Sequence, residues 1–274
     1  MIFDTHAHYN LTCFDQNREA LFQKMKEAGV EKVLCPSISF EENQRMLDTL
    51  APYGQVLFAV GIHPTRTPLF DWSDGYMDGE LRRLAARPRV AAIGELGLDY
   101  HRGLENHPDL IARERCWFQR QLNIASDLEL PLVLHIRSSP EHPHRAYRDA
   151  LEILRAQPRA FSGVLHCYNS DYETACRFLE GGDYRFGIGG CLTYEGMDHL
   201  RQAVAKLPLE RILLETDAPF LPPLGCPKKR NTSLNLPAVI QLIAELKHCS
   251  PETVEQTTFE TAEQLFCRHL TERS

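Results

Sequence analysis

The residue types best suited to chemistry stand in Asp4-Thr5-His6-Ala7-His8, which follows the apolar pair Ile2-Phe3. In an extended chain, residues two apart share a face. His6 and His8 should therefore project together, with Asp4 behind them on the same side. Two converging imidazoles are half of a metal site. The other half recurs after later apolar runs: Glu95 after Val90 to Ile93, His135 after Leu132-Val133-Leu134, His166 after Ser162 to Leu165, and Asp217 after Arg211 to Leu214. Imidazole nitrogens and carboxylate oxygens together suit zinc, manganese or iron. Four imidazoles and two carboxylates exceed what one catalytic ion needs, but serve two divalent ions sharing a carboxylate. The expected assignment is His6, His8 and Asp217 on one ion and His135 and His166 on the other, with Glu95 bridging. Two ions about 3.5–4 Å apart clamp the attacking and leaving oxygens of a displacement. Asp217 can also serve as general base, so Glu95 and Asp217 are the expected catalytic carboxylates.

These side chains need a frame that gathers strand ends. The apolar runs are short and continuous, as in strands buried on both faces. Each is followed by a helical pattern, for example Asp15 to Ala28, Phe40 to Leu50, Ile111 to Leu128 and Tyr172 to Leu179. Eight such β/α units predict a parallel (β/α)₈ TIM-type barrel of the α/β class, whose C-terminal strand ends converge on one face. A doubly wound open sheet explains less well why polar residues end so many strands. No linker or low-complexity tract divides the chain, so residues 1–274 are read as one domain, with C-terminal helices over 236–270 packing on the barrel. Gly94 and Gly97 beside Glu95 suggest close backbone approach there.

The chain carries 30 basic and 37 acidic residues, a formal net charge of −7. A general polyanion-coating protein is therefore excluded, although bound cations can still direct such a chain to phosphates. Nine cysteines, odd in number and without a Cys-x-x-Cys pair, read as reduced thiols of a cytoplasmic protein. No signal peptide and no spanning apolar run are expected, hence no membrane.

Substrate contacts are sought near the same face. His63, held between Gly61 and Pro64, and Arg137, beside His135, are candidates. Lys228-Lys229-Arg230 follows the last strand, where barrels often hold phosphate, and three cations there suggest a phosphodiester. A solvated basic loop is the plainer reading. Glu215 is read as a carboxylate behind the ligands. Tyr9, Tyr100 and Tyr168 are candidate platforms for base stacking.

The ordered set Asp4-Thr5-His6-Ala7-His8, Gly61-Ile62-His63-Pro64, Gly94-Glu95-Leu96-Gly97-Leu98-Asp99-Tyr100, His135-Ile136-Arg137, His166-Cys167-Tyr168 and Glu215-Thr216-Asp217-Ala218-Pro219 resembles the TatD family of metal-dependent deoxyribonucleases, among the amidohydrolase-like barrels. The resemblance implies a two-metal hydrolase with the ligands above. It also implies DNA strands or their ends as substrate, cleaved exonucleolytically, often with magnesium. The His-rich ligand set favours zinc or manganese, so the ions are two of zinc, manganese or magnesium. Two other readings stay open: a hydrolase of a small amide, lactone or phosphoester using the same site, and a binding or assembly subunit of a larger complex with a protein partner.

Overall fold

The computed structural model describes residues 1–69, 75–101, 107–226, 230–268 and 270. Eight parallel strands alternate with helices. They are β1 (Ile2–Asp4), β2 (Val30–Pro36), β3 (Val56–Val60), β4 (Val90–Asp99), β5 (Leu132–Arg137), β6 (Ser162–His166), β7 (Asp183–Ile188) and β8 (Ile212–Leu214). The helices are α1 (Arg18–Glu27), α2 (Phe40–Leu50), α3 (Tyr76–Ala85), α4 (Pro108–Leu128), α5 (Arg145–Arg155), α6 (Tyr172–Gly181), α7 (Asp198–Lys206), α8 (Leu236–Lys247) and α9 (Pro251–Phe266). The strands pair in sequence order from β1 to β8. The ring is drawn together by Thr5 N–H donating to Leu214 O, Asp217 N–H to His6 O and His8 N–H to Ala218 O. The expected (β/α)₈ barrel is therefore present.

Strand parity separates two apolar layers. Phe3, Leu34, Leu57, Ala91, Val133, Val164 and Leu213 form an inner cluster that also takes in Ala262, Leu265 and Phe266 of α9. Phe3 packs at 6.1 Å on Phe266. Alternate residues such as Val33, Phe58, Leu134 and Leu165 face the helices. The inner cluster supports the site from below, while α9 closes on β1 and β8.

Several boundaries differ from expectation for visible reasons. α1 begins at Arg18, not Asp15, because Asp15 accepts a hydrogen bond from Arg18 at 2.6 Å instead of capping the helix. Arg18 also donates to Tyr9 O and Leu11 O, fixing a short turn of helix over Thr12–Phe14. β4 does not stop at Ile93 but runs to Asp99, with its register shifting between Gly94 and Leu96. Glu95 thus sits within the strand, at the irregularity. The glycine reading holds: a Cβ on Gly97 (φ +146°) would meet His135 O at 2.0 Å, and one on Gly94 would meet Val133 Cβ at 2.6 Å.

Candidate metal centre

His6 and His8 lie just beyond β1, with side chains almost wholly buried. They converge as expected, their ring centroids 5.0 Å apart. Asp4 does not share their side. Phe3 faces the inner cluster, so Asp4 points outward. There it accepts from Thr216 N–H, Thr216 Oγ1, Ser233 Oγ and His6 N–H. These bonds tie the His6 turn to the segment that presents Asp217.

Glu95 reaches the centre from β4 and is buried. Its Oε2 lies 3.4 Å from His6 Nε2 and 4.0 Å from His8 Nε2. Its Oε1 lies 2.9 Å from His135 Nδ1 and 3.9 Å from His166 Nε2. Asp217 Oδ1 stands 3.2 Å from His8 Nε2 and 3.8 Å from His6 Nε2. His6, His8 and Asp217 form one close donor group, and Glu95, His135 and His166 another. All six sequence-predicted ligands are therefore brought together, with the two oxygens of Glu95 turned toward different groups.

The electrostatics fit cations. Burial lowers His6, and His166 beside it adds to that effect. Burial also works against a charged His166, but Glu215, Glu95 and Asp217 outweigh it and push that imidazole up to about 10. At His135 burial is likewise outweighed, by Asp99 and Glu95, giving about 9. Burial would raise Glu95, but His6, His63 and His135 hold it well below the usual carboxylate range. The carboxylates draw positive charge into the cluster wherever an imidazole can supply it. Yet both ring nitrogens of His6 are buried without a hydrogen-bond partner among the described residues. A buried polar atom left so costs about 1–3 kcal/mol. An orphaned imidazole facing two carboxylates is a donor set that a divalent ion satisfies.

A supporting layer orients these groups. Glu215 accepts from Cys167 N–H at 2.6 Å and meets His166 Nδ1 at 3.1 Å. That contact leaves His166 Nε2 toward the centre, as orienting carboxylates do for ligating histidines. Asp99 meets His135 Nε2 at 3.2 Å. The sequence motif that contains Asp99 assigns it no role. Its signal was its place four residues after Glu95 on one strand. Asp217 and Cys167 both adopt left-handed backbone, at φ +56° and +47°. Such non-glycine strain is concentrated at functional sites.

His63 stands 3.6 Å from Glu95 Oε1. Thr65 N–H donates to its Nδ1, so its proton is on Nε2, facing Glu95. Burial, with His135 nearby, lowers its pKa to about 3, leaving a neutral donor. Asn43 pairs with both backbone groups of Gly61, and Gln121 with both of Ile62. These bonds from α2 and α4 fix the turn that carries His63.

Over the centre opens a cleft of about 680 Å³, lined among others by His135, His166, Asp217, Arg137, His199 and Phe220. Arg137 is exposed on its rim and has no partner among the described residues. His199, given no role from sequence, donates from Nε2 to Asn169 Oδ1, 2.9 Å away. Two expectations, those on Arg230 and on the tyrosines, need correction. Arg230 does not stand free for phosphate. Its guanidinium donates to Cys13 O and Asn17 Oδ1 and lies 4.6 Å from the Phe14 ring. Lys228 and Lys229 lie outside the described residues. Tyr9, Tyr100 and Tyr168 are buried, not exposed platforms. Among the described residues, the exposed aromatic at the mouth is Phe220, 51% accessible and 6.1 Å from the His8 ring.

Comparison with known proteins agrees with this geometry. The family described as TatD related DNase matches residues 3–267. The uncharacterized metal-dependent hydrolase YabD of Bacillus subtilis is 31% identical over 97% of this chain and 99% of its own. The 3'-5' ssDNA/RNA exonuclease TatD of Erwinia billingiae is 31% identical over 97% and 98%. The crystal structure of YjjV, a TatD homologue from Escherichia coli, superposes with a TM-score of 0.83 at 28% identity, covering 97% and 98% of the two chains. Among the described residues no helix is long and apolar enough to cross a membrane. The chain belongs to the TatD family of metal-dependent hydrolases.

Proposed function

We propose that this hydrolase cleaves phosphodiester bonds of single-stranded DNA, working inward from an end. The observation that carries the reading is the position of Glu95, with Oε2 toward His6 and His8 and Oε1 toward His135 and His166. His6, His8 and Asp217 would hold one divalent ion and His135 and His166 the other, with Glu95 shared. Bound there, zinc, manganese or magnesium would acidify a water and neutralise charge on the phosphoryl group. Asp217 lies beside His8 at the edge of the cleft, and in this reading it would accept the proton of the attacking water. His63, neutral with its proton on Nε2, can donate to a phosphoryl oxygen. Arg137, exposed on the rim and without a side-chain partner among the described residues, supplies a cation suited to the next phosphate. Relatives named as single-strand exonucleases support the substrate class.

The test is digestion of an end-labelled single-stranded oligonucleotide by chelator-stripped protein resupplied separately with magnesium, manganese or zinc. Laddering from one end that needs added ion and disappears in Asp217→Asn is expected. Ion uptake without cleavage of any strand would overturn the nuclease reading and turn attention to small esters or amides.

A further inference from the structure

Cys167 follows the candidate ligand His166 at the end of β6, and Cys191 lies in the short helical turn Gly190–Thr193 after β7. The two strands are neighbours in the barrel, with Leu165 paired to Phe186 and Tyr168 N–H donating to Gly187 O. Both cysteines are half-buried free thiols that line the cleft over the metal centre. They also line a smaller hollow together with Glu215 and Asp217. The Cys167 thiol donates to the Cys191 sulfur. Two thiols that meet within reach of solvent are the arrangement that thiol–disulfide exchange needs, unlike the fully buried Cys35.

The turn that carries Cys191 is pinned. Arg201 donates to Leu192 O and Tyr194 O, Leu224 N–H donates to Thr193 Oγ1, and the Tyr194 hydroxyl donates to Pro222 O. A Cβ on Gly190 would lie 2.1 Å from Leu221 O, so the turn packs directly on that backbone. Cys167 instead sits in left-handed backbone at φ +47°, and its N–H donates to Glu215 Oε1 at 2.6 Å. Glu215 in turn meets His166 Nδ1 at 3.1 Å. A pull on Cys167 toward Cys191 therefore reaches the carboxylate that orients a candidate ligand.

We propose that Cys167 and Cys191 form a reversible disulfide that lowers the affinity of the centre for its ions. The oxidant is a small-molecule disulfide of the glutathione type, admitted through the cleft. One cysteine sulfur attacks a sulfur of oxidised glutathione, a mixed disulfide forms, and the departing glutathione sulfur takes the proton. The second cysteine then attacks the protein sulfur of the mixed disulfide, and its proton leaves with the second glutathione. Two protein thiols are oxidised, and one glutathione disulfide is reduced to two thiols. The closed bond draws Cys167 toward the pinned turn, parts its N–H from Glu215 and loosens His166. The linkage stands on the placement of the thiols, while its effect on ions rests on the metal-site reading above.

The experiment equilibrates zinc-loaded protein with mixtures of reduced and oxidised glutathione, from fully reducing to fully oxidising. Digestion without reductant followed by mass spectrometry looks for a linked peptide pair containing Cys167 and Cys191, two hydrogens lighter than its parts. Chelator competition measures zinc affinity in the same samples. The linked pair is expected to accumulate as oxidised glutathione rises, with zinc affinity falling about tenfold or more. Dithiothreitol should reverse both. Cys167→Ala with Cys191→Ala should hold zinc equally in every mixture. Cys191→Ser, a near-isosteric change, should carry a glutathione adduct on Cys167 and no linked pair, which keeps the test decisive if the double variant does not fold. Thiols that stay free, or link elsewhere, at full oxidation would overturn the disulfide. A linked pair with unchanged zinc affinity would overturn its coupling to the centre. A reduced chain that holds no zinc would overturn the metal-site reading and the coupling with it, while the peptide map still decides the linkage.

Discussion

Glu215 occupies the space that a side chain on Gly187 would need: a Cβ there would lie 2.0 Å from Glu215 Oε2. The bare backbone of β7 lets this carboxylate stand beneath His166 and accept from Cys167 N–H. Gly187→Ala should push Glu215 away and release the His166 ring. Loss of such an orienting partner costs about 10–100-fold in metal affinity. Chelator competition measures it. Unaltered affinity in a folded variant would mean that Glu215 does not orient this ligand.

The two faces of Glu95 make stoichiometry informative. Glu95→Ala removes the carboxylate common to both donor groups and should empty both positions. His135→Ala removes a donor from one group only. Elemental analysis after dialysis is expected to give close to no ion for the first variant and close to one for the second. The same ion content in both would remove Glu95 from its bridging role.

The six candidate ligands were legible because a parallel barrel forces strand ends together, so residues spread from His6 to Asp217 announce themselves by position alone. What surrounds them was less so. Asp4 follows Phe3, and only the inward packing of Phe3 against Phe266 reveals that the carboxylate turns outward. Asp99 was missed because the shift at Gly94 prolongs β4 beyond its apolar run. Tyr9 sits beside two ligands in sequence, yet packs between Phe14 and Phe22 with its hydroxyl on Ser233, a contact 224 residues distant. Arg230 reads as a free cation until the Thr12–Phe14 segment is seen to occupy it. Asp99 apart, each miss is a long-range contact that no local pattern encodes.

Phe220 takes the place that those tyrosines were expected to fill. It stands exposed beside His8, three residues after Asp217. Under the nuclease reading it offers a stacking face for the base nearest the reacting phosphate. Base–aromatic stacking contributes about 1–3 kcal/mol per base. Phe220→Ala should therefore raise KM for oligonucleotides by about 5-fold or more. Phe220→Trp should retain affinity. A KM insensitive to both changes would exclude a stacking role.

Glu114 carries a pH-dependent cost within α4. Its Oε2 accepts from Asp99 N–H at 2.9 Å, while Oε1 is buried without a partner among the described residues. Burial, with Asp99 nearby, raises this carboxyl to about 8 from an ordinary 4.5. Between those values the folded chain keeps a proton that the unfolded chain releases. Stability must therefore fall as pH rises through that window, by at most about 3 kcal/mol at pH 7. Below it both states are protonated and the cost vanishes. Glu114→Gln keeps an acceptor for Asp99 N–H and has nothing to titrate. Its melting temperature should match the unmodified chain near pH 4.5 and exceed it by several degrees at pH 8, at about 2–4 °C per kcal/mol. Thermal scans at the two pH values decide the matter. A gap that does not widen between them would show that Glu114 ionises in the fold at its ordinary pH.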